Sequence, residues 1–355
     1  MAHSIHPRSH PRVPVWALAA LALLASIGMV SCAPGSSSQQ GAAVSLQGCG
    51  ASFLFPIYSK WFKVYSDAHQ GVEIDDQSVG SGAGVKNFID KTVDFAASDM
   101  AMKPEDIARV QGGAQLLPLT AGNIVLTYNV PGVKELKLSR KAYSGIFLGK
   151  VKKWNDPAIT KTNPGVNLPG SAINVVVRAD ASGTSFVFSQ HLSAISKDFA
   201  ASPGTNDMPN WPVGTKSKGN EGVTASVKTT PNAIGYIEFG YAMSQNMPMA
   251  QLENKSGNFI IPSTASGQAA LAEVNLPESL IAWSPDPKAK DAYPITTFTW
   301  FLAYKKNANP RKAAVLRDLL MYCLTDGQKE SEKLGYLPLP DNVATRVKAS
   351  VQNIQ

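Results

Sequence analysis

The sequence predicts an α/β protein in which helices cover largely parallel sheets. From residue 46 onward, short apolar segments typical of strands alternate with segments of helical periodicity, and no internal repeat is present. This alternation is typical of strand–helix–strand units, whose strands run parallel. The chain has 355 residues, 44% of them apolar and 17% charged. It is therefore long enough for two globular domains.

The individual elements follow from local patterns. Ile57, Trp61, Val64 and Tyr65 recur on one face of residues 57–68, which indicates an amphipathic helix. The other segments are predicted in this order: strand 72–79, short helix 82–93, strand end 94–99, buried strands 123–130 and 173–179, and helix 311–324.

The first 31 residues have the pattern of an export signal. Arg8 and Arg12 precede the apolar segment 13–30. Cys32 follows within the segment MVSC, which resembles the cleavage box of bacterial lipoproteins. We therefore expect residues 1–31 to be removed and Cys32 to become the lipid-modified first residue. An ordinary cleaved signal and a retained membrane anchor are the alternatives, and all three place the folded part in the periplasm or at the cell surface.

Residues 32–45 are rich in Gly, Ser and Gln and poor in large apolar side chains, which predicts a flexible tether to the membrane. The formal charge of +7 falls by two when the signal leaves, and the remaining charge is spread along the chain. This distribution argues against nucleic acid as a partner. An exported compartment permits a disulfide between Cys49 and Cys323, but no pattern brings them together, and we expect two buried free thiols.

Four turns rich in small and hydroxyl-bearing residues follow the strand candidates, at 47–53, 79–85, 94–100 and 178–185. Open α/β sheets bind ligands at the carboxyl ends of their strands, so the turns could converge on one small ligand. A turn that leads into a helix N-terminus, such as the helix expected to begin near Ser185, can bind an anion.

An arginine strengthens this interpretation. Arg178 would add a permanently charged donor, and Asp180 could hold its guanidinium in one orientation. A single turn of this kind is explained by capping or turn geometry. Four turns with the same chemistry, together with an arginine, favour an anion site.

Seven successive segments resemble the signatures of the phosphate-binding proteins of bacterial ABC-type phosphate transporters. They are GCGASFLFPIYSKW, VGSGAGVKNFI, TVDFAASDM, YSGIFLGKVKKWNDPAI, VVRADASGTSFVF, AIGYIEFGYA and YPIT. The resemblance implies a two-lobed, type II-like periplasmic-binding-protein fold, each lobe a mixed sheet flanked by helices, with the ligand in the cleft between them. It places lobe I at 46–124 and 295–355 and lobe II at 125–294, with crossings near 123–127 and 293–298.

The same resemblance implies eight phosphate-binding residues: Ser52, Phe53 through its backbone N–H, Ser81, Asp99, Arg178, Ser182, Gly183 and Thr184. It gives Asp180 a supporting role as the partner of the arginine. Ala181 stands where the family usually has glycine, and Val177 stands where the family often has a second arginine. The resemblance implies no metal and no cofactor, and we expect a monomer.

The resemblance leads to the expectation of a protein that captures inorganic phosphate and delivers it to an ABC permease, with ATP hydrolysis left to a separate ATPase. Near neutral pH phosphate still carries a proton, which an ionised Asp99 could accept in a hydrogen bond. Sulfate has no such proton, so lone pairs would face lone pairs in a desolvated site. The aspartate therefore favours phosphate over other tetrahedral oxyanions such as sulfate or molybdate.

Three alternatives stay open at this stage. An exported phosphoesterase could use Ser182 as a nucleophile, but it would need a base or a metal. The histidines that follow the signal are His69 and His191, and His191 lies about 13 Å along the helix from Ser182. A binding protein for another oxyanion, and a phosphate sensor or adhesin on the same fold, are the other two.

Overall fold

The computed structural model of the chain describes residues 43–355, which form eleven strands and twelve α-helices. The strands are β1 (Val44–Gly50), β2 (Val72–Ser78), β3 (Phe95–Ser98), β4 (Ala114–Asn129), β5 (Lys137–Leu138), β6 (Asn174–Arg178), β7 (Thr215–Ser217), β8 (Ala233–Glu238), β9 (Gln251–Glu253), β10 (Phe259–Ile260) and β11 (Thr296–Tyr304). The helices are α1 (Phe55–Ala68), α2 (Ser81–Ile89), α3 (Pro104–Arg109), α4 (Arg140–Phe147), α5 (Pro157–Thr160), α6 (Gly183–Ile195), α7 (Lys197–Ala201), α8 (Gly219–Thr229), α9 (Phe239–Ser244), α10 (Thr264–Leu271), α11 (Pro310–Cys323) and α12 (Asp341–Val351).

Eight of the strands form one sheet in the order β2-β1-β3-β11-β4-β8-β6-β7. Strands β1, β2 and β3 run parallel at one end of the sheet, and β6, β7 and β8 run parallel at the other end. Between them, β11 is antiparallel to β3 and β4, and β4 is antiparallel to β8. The remaining strands form a small sheet in the order β10-β9-β5.

Strand β4 runs through both halves of the large sheet. Its residues 114–123 pair with β11, whereas its residues 124–129 pair with β8. Lobe I is built on β1, β2, β3 and β11, and lobe II is built on β6, β7 and β8. The prediction of two α/β lobes with mixed sheets flanked by helices is confirmed.

The expectation of largely parallel sheets is wrong in the middle of the sheet, where β4 and β11 run antiparallel to their neighbours. Two successive strands of the chain can pair in parallel only when a crossover segment, usually a helix, connects them. Strands β4 and β11 instead lie at the junction of the two lobes, where they pair with each other and with strands of either lobe. Alternation of strands and helices along the chain does not reveal such a pair.

Aromatic side chains fill the core of lobe I. Helix α1 has Pro56 in its first turn, a favoured position for proline, and buries Tyr58, Trp61, Phe62 and Tyr65. Phe62 packs edge-on against Phe95 of β3 with ring centroids 5.5 Å apart. The predicted helix over 57–68 is therefore confirmed, and its apolar face is the one that covers the sheet.

Both cysteines of the globular part are buried and free, as expected. Burial raises the pKa of the Cys49 and Cys323 thiols, which keeps them protonated as small apolar groups. Within residues 43–355, no helix combines the length and the apolar character needed to cross a bilayer. The predicted signal, Cys32 and nearly all of the predicted tether lie outside the described residues.

Candidate anion-binding site

Polar turns from both lobes meet at one place between them. In lobe I the turns follow β1, β2 and β3, and in lobe II they follow β6, β7 and β8. Each turn leaves the carboxyl end of its strand, where open α/β sheets bind ligands. The predicted residues on these turns are all buried: Ser52, Phe53, Ser81, Asp99, Arg178, Ser182, Gly183 and Thr184.

Ser81, the first residue of α2, connects the two lobes. Its Oγ accepts a hydrogen bond of 3.0 Å from the N–H of Gly183 in lobe II and one of 3.4 Å from the N–H of Asp99 in lobe I. A Cβ atom at Gly183 would lie 2.6 Å from Ser81 Oγ and 2.7 Å from Asp99 Cβ. Glycine is therefore needed at 183 for the lobes to approach this closely.

Arg178 ends strand β6, and its guanidinium is held by Asp180. Nε donates to Asp180 Oδ1 at 2.9 Å, and a second nitrogen donates to Oδ2 at 2.5 Å. The guanidinium also donates to Thr184 Oγ1 at 3.3 Å. Burial alone would raise the pKa of Asp180, but the fork from Arg178 and the Gly219 N–H lower it below its usual range. The predicted pairing is confirmed, and it leaves an ionised carboxylate that fixes the arginine.

Asp99 follows β3 and is 1% exposed. Its Oδ2 accepts a hydrogen bond of 3.3 Å from Thr184, while Oδ1 is buried and has no partner in the protein. Burial raises the pKa of Asp99 to about 7, although the charge of Arg178 and the bond from Thr184 lower it. A buried acceptor without a donor is costly, so Oδ1 is available to a ligand that offers a proton.

Ser182 is the N-cap of α6, and its Oγ accepts from the N–H of Ser185 at 3.1 Å. The helix begins at Gly183, two residues earlier than expected. The N–H groups of its first turn have no acceptor within the helix, which is the basis of anion binding at such ends. In this structure the N–H of Gly183 donates to Ser81 Oγ and that of Ser185 to Ser182 Oγ, so the positive end of the helix lies against both lobes.

Phe53 is fully buried. Its carbonyl accepts a hydrogen bond of 2.6 Å from Tyr336, and its ring lies 6.3 Å from that of Tyr336 in an edge-on arrangement. A Cβ atom at Gly122 of β4 would lie 2.7 Å from the Phe53 ring. Because glycine has no side chain, position 122 leaves room for the Phe53 ring. The packed ring in turn holds the turn that carries Ser52.

Asn220, in the first turn of α8, is a residue of the site that the sequence interpretation missed. Its side chain is fully buried, and Nδ2 donates to Ser52 Oγ at 2.9 Å and to Thr184 Oγ1 at 3.3 Å. Its backbone N–H donates to the same Ser52 Oγ at 3.0 Å. The local signal was weak, because an asparagine at the start of a helix is most often a capping residue.

Glu238, at the end of β8, is a second missed residue. It is fully buried, and its two carboxylate oxygens cap α9 by accepting from the N–H groups of Gly240 and Tyr241 at 2.7 and 3.3 Å. Burial raises the pKa of Glu238 well above its usual range. Its backbone N–H donates to Asn220 Oδ1 at 2.9 Å, so it also orients that amide.

The donor set of this region suits an anion rather than a cation. Within residues 43–355, no group of three or more His, Cys, Asp or Glu side chains is arranged to hold a metal ion. One guanidinium, several hydroxyls and a helix N-terminus lie in one hydrogen-bonded cluster, in which Asp99 Oδ1 is left without a donor. Such an arrangement can bind a dehydrated oxyanion that keeps at least one proton.

Comparison with known proteins places these features in a family. Residues 36–326 match the family model described as a PBP superfamily domain. The chain is 38% identical over 312 residues to the phosphate-binding protein PstS of Pasteurella multocida, covering 86% of this chain and 90% of that protein. It is 37% identical over 348 residues to PstS of Methanocaldococcus jannaschii, covering 90% of each.

Solved structures share the fold. A high-affinity periplasmic phosphate-binding protein, PfluDING, solved with phosphate, matches with a TM-score of 0.71 and 19% identity over 86% of this chain and 94% of that chain. A phosphate-binding protein of Stenotrophomonas maltophilia matches with a TM-score of 0.69 and 20% identity over 86% and 94%. At these identities the likeness concerns the architecture of two lobes.

Proposed function

Because the chain belongs to the family of PstS phosphate-binding proteins, we propose that it captures inorganic phosphate between its lobes and delivers it to an ABC-type membrane permease. The observation that carries the proposal is Asp99 of lobe I: a buried carboxylate with one unpartnered oxygen, in contact with Thr184 of lobe II and near the charge of Arg178. The proposed ligands are the eight residues named above, with Asp180 in support.

The binding chemistry follows from the donors. Arg178 supplies a full positive charge whose guanidinium is oriented by Asp180, and this charge would stabilise a bound anion. The hydroxyls of Ser52 and Ser81 would donate to the remaining oxygens, and the positive N-terminal end of α6 would stabilise their charge. Fixed dipoles of this kind stabilise an anion without a metal.

Asp99 would select phosphate because phosphate carries a proton that it can donate to the carboxylate. Near neutral pH phosphate offers an O–H group to Asp99 Oδ1, whereas sulfate offers only lone pairs. The raised pKa of Asp99, about 7, reflects the cost of an ionised carboxylate in the closed site. A hydrogen bond from the ligand offsets that cost, so phosphate stabilises closure and sulfate does not.

Opening and closing would occur about the strands that connect the lobes. We place the hinge where β4 changes partner from β11 to β8, near Asn123, and where the chain enters β11 near Thr296. The hydroxyl of Thr296 donates to Asn123 Oδ1 at 2.8 Å, which ties the two crossings together. Lobe I would then comprise 46–124 and 295–355, and lobe II 125–294.

No bond-making chemistry is assigned to the site. Among the described residues, the Oγ of Ser182, the nucleophile that a phosphoesterase would need, is hydrogen-bonded to the N–H of Ser185 and to no base. Both ring nitrogens of His191 are occupied, by the hydroxyl of Tyr143 at 2.8 Å and by the carbonyl of Pro285 at 2.7 Å. The protein would therefore release phosphate unchanged, and ATP hydrolysis would belong to a separate ATPase of the transporter. Incubation with p-nitrophenyl phosphate should release no product.

We further propose that the protein is exported and acts as a monomer attached to the membrane. Residues 1–31 would be the signal, Cys32 the lipid-modified residue and residues 32–45 the tether. The support is the sequence pattern of the N-terminus. Replacement of Cys32 by alanine should move the mature protein from the membrane fraction to the soluble fraction.

Calorimetric titration of phosphate-stripped protein tests the proposed function. Phosphate should bind with one ion per chain, arsenate should compete because it is protonated in the same way, and sulfate should produce no saturable heat. Binding of sulfate as tight as that of phosphate would exclude the selection mechanism. Absence of phosphate binding would exclude the function itself.

A further inference from the structure

We propose that Asn220 is a positioning residue that sets the direction of the hydroxyl hydrogen bonds in the site, so that Ser52 can only donate towards the bound anion. The inference rests on the proposed function. It assigns Asn220 a role in anion recognition without direct contact with the anion. Four observations support it: the orientation of the amide, the occupancy of the Ser52 hydroxyl, the same pattern at two other hydroxyls, and the position of Asn220 between the lobes.

The orientation of the Asn220 amide is fixed by its surroundings. The backbone N–H of Glu238 donates to one amide atom at 2.9 Å, and this atom must therefore be the oxygen. The other amide atom is then the nitrogen, which donates to Ser52 Oγ and to Thr184 Oγ1. A flipped amide would set a donor against the Glu238 N–H and leave an acceptor facing the two hydroxyls.

The hydroxyl of Ser52 has no acceptor capacity left. A serine hydroxyl has one proton and two lone pairs. The backbone N–H and Nδ2 of Asn220 both donate to Ser52 Oγ, at 3.0 and 2.9 Å. With both lone pairs engaged, the proton is the only group that Ser52 can offer to a ligand. The hydroxyl is thus a fixed donor in the closed cleft.

Two other hydroxyls follow the same rule. Ser81 Oγ accepts from the N–H groups of Gly183 and Asp99, which fills its lone pairs and leaves its proton. Thr184 Oγ1 accepts from the Arg178 guanidinium and from Asn220 Nδ2, which leaves its proton for Asp99 Oδ2. In each case, N–H donors occupy the lone pairs of the hydroxyl and leave only its proton to be donated. Asn220 supplies three of these hydrogen bonds, two to Ser52 and one to Thr184.

The position of Asn220 also links the direction of the Ser52 hydrogen bond to closure of the two lobes. Asn220 belongs to α8 of lobe II, whereas Ser52 belongs to the turn after β1 in lobe I. The donations to Ser52 exist only when the lobes are together, so the hydroxyl becomes a fixed donor as the cleft closes. Loss of the amide should therefore weaken phosphate binding mainly through faster release of the ion.

The experiment compares Asn220→Ala and Asn220→Asp with the unchanged protein by calorimetry and by stopped-flow release of phosphate. Asn220→Ala should weaken phosphate binding by about 10- to 100-fold, the size of effect expected for the loss of buried hydrogen bonds. Asn220→Asp keeps the side-chain shape but replaces the donor by an acceptor, which would draw the Ser52 proton away from the anion. It should weaken binding more than Asn220→Ala does.

A matched control uses the other end of the same helix. Asn129 donates through Nδ2 to the carbonyls of Lys228 and Thr230 at 3.0 and 3.1 Å, at the C-terminal end of α8. Asn129→Ala removes a similar pair of bonds but touches no residue of the site. It should alter thermal unfolding without altering the affinity for phosphate. Unfolding of both Asn220 variants is measured alongside, and the isosteric Asn220→Asp keeps the test open if Asn220→Ala is unstable.

A double-mutant cycle separates positioning from simple support of the fold. If Asn220 acts through the Ser52 hydroxyl, Asn220→Ala should cost much less affinity in a Ser52→Ala background, with a coupling of about fivefold or more. Additive losses would mean a structural role and would overturn the inference. Phosphate affinities of both Asn220 variants within about threefold of the unchanged protein would also overturn it. If the unchanged protein binds no phosphate, the proposed function fails instead.

Discussion

Replacement of Asp99 by asparagine should remove much of the preference for phosphate over sulfate. The substitution keeps the size of the side chain and removes its charge. In the unchanged protein, Asp99 Oδ1 is buried, and once the carboxylate is ionised it can only accept. The amide of the variant can accept with its oxygen or donate with its nitrogen, so either ion finds a partner at this position.

The expected change in selectivity can be worked out from the contacts of Asp99 Oδ1 alone. A hydrogen bond from phosphate to a buried carboxylate contributes about 1.5–3 kcal/mol, and a sulfate oxygen that faces it unpaired costs about 1–3 kcal/mol. Together these terms give a selectivity of about two to four orders of magnitude that depends on Asp99. We expect Asp99→Asn to narrow the ratio of sulfate to phosphate dissociation constants by about 100-fold or more.

The assay is competitive calorimetry with phosphate and sulfate at about pH 8, above the pKa of Asp99, so that the carboxylate is ionised. Asp75→Asn is the matched control, because Asp75 is an exposed residue of β2 in the same lobe and the charge change is identical. The control should leave the ratio unchanged. A ratio for Asp99→Asn within about threefold of that of the unchanged protein would refute the reasoning, since the carboxylate would then have no part in selection.

Three further outcomes are expected. Because closure buries Asp99 and raises its pKa from 3.8 to about 7, closure without phosphate should become less favourable as pH rises from 4 to 7. Asp99→Asn should remove most of this dependence, up to about 4 kcal/mol, and X-ray scattering of the phosphate-free protein across this pH range measures it. Arg178→Lys loses the fork to Asp180 and should weaken phosphate binding about 10- to 100-fold by calorimetry, without abolishing folding. Gly183→Ala places a methyl group 2.6 Å from Ser81 Oγ, so it should hold the lobes apart. It should weaken phosphate binding at least about tenfold by calorimetry and raise the radius of gyration in X-ray scattering with phosphate present.

Much of the fold could be predicted from the sequence because its signals are local. The amphipathic pattern of 57–68 and of 311–324 predicts helices, and α1 and α11 are observed there. The apolar segments 123–130 and 173–179 predict buried strands, which are β4 and β6. The antiparallel placement of β4 and β11 could not be predicted in this way, because it depends on how distant parts of the chain pair.

The same distinction holds for the site. The turns with Ser81 and Arg178 are visible in the sequence because glycine, hydroxyl and charged residues follow an apolar strand. Asn220 is not, because its importance arises from contact with Ser52, which lies 168 positions away in the chain. Glu238 looks like a surface carboxylate in sequence, and only the pairing of β8 in the middle of the sheet buries it.

The central claim is that a protonated oxyanion donates its hydrogen bond to Asp99 between closed lobes. A high-resolution crystal structure with phosphate bound tests this claim most directly. We expect a phosphate oxygen about 2.5–2.7 Å from Asp99 Oδ1, the spacing of a hydrogen bond from a hydroxyl to a carboxylate. Phosphate bound elsewhere, or bound with Oδ1 beyond hydrogen-bond distance from every phosphate oxygen, would contradict the account.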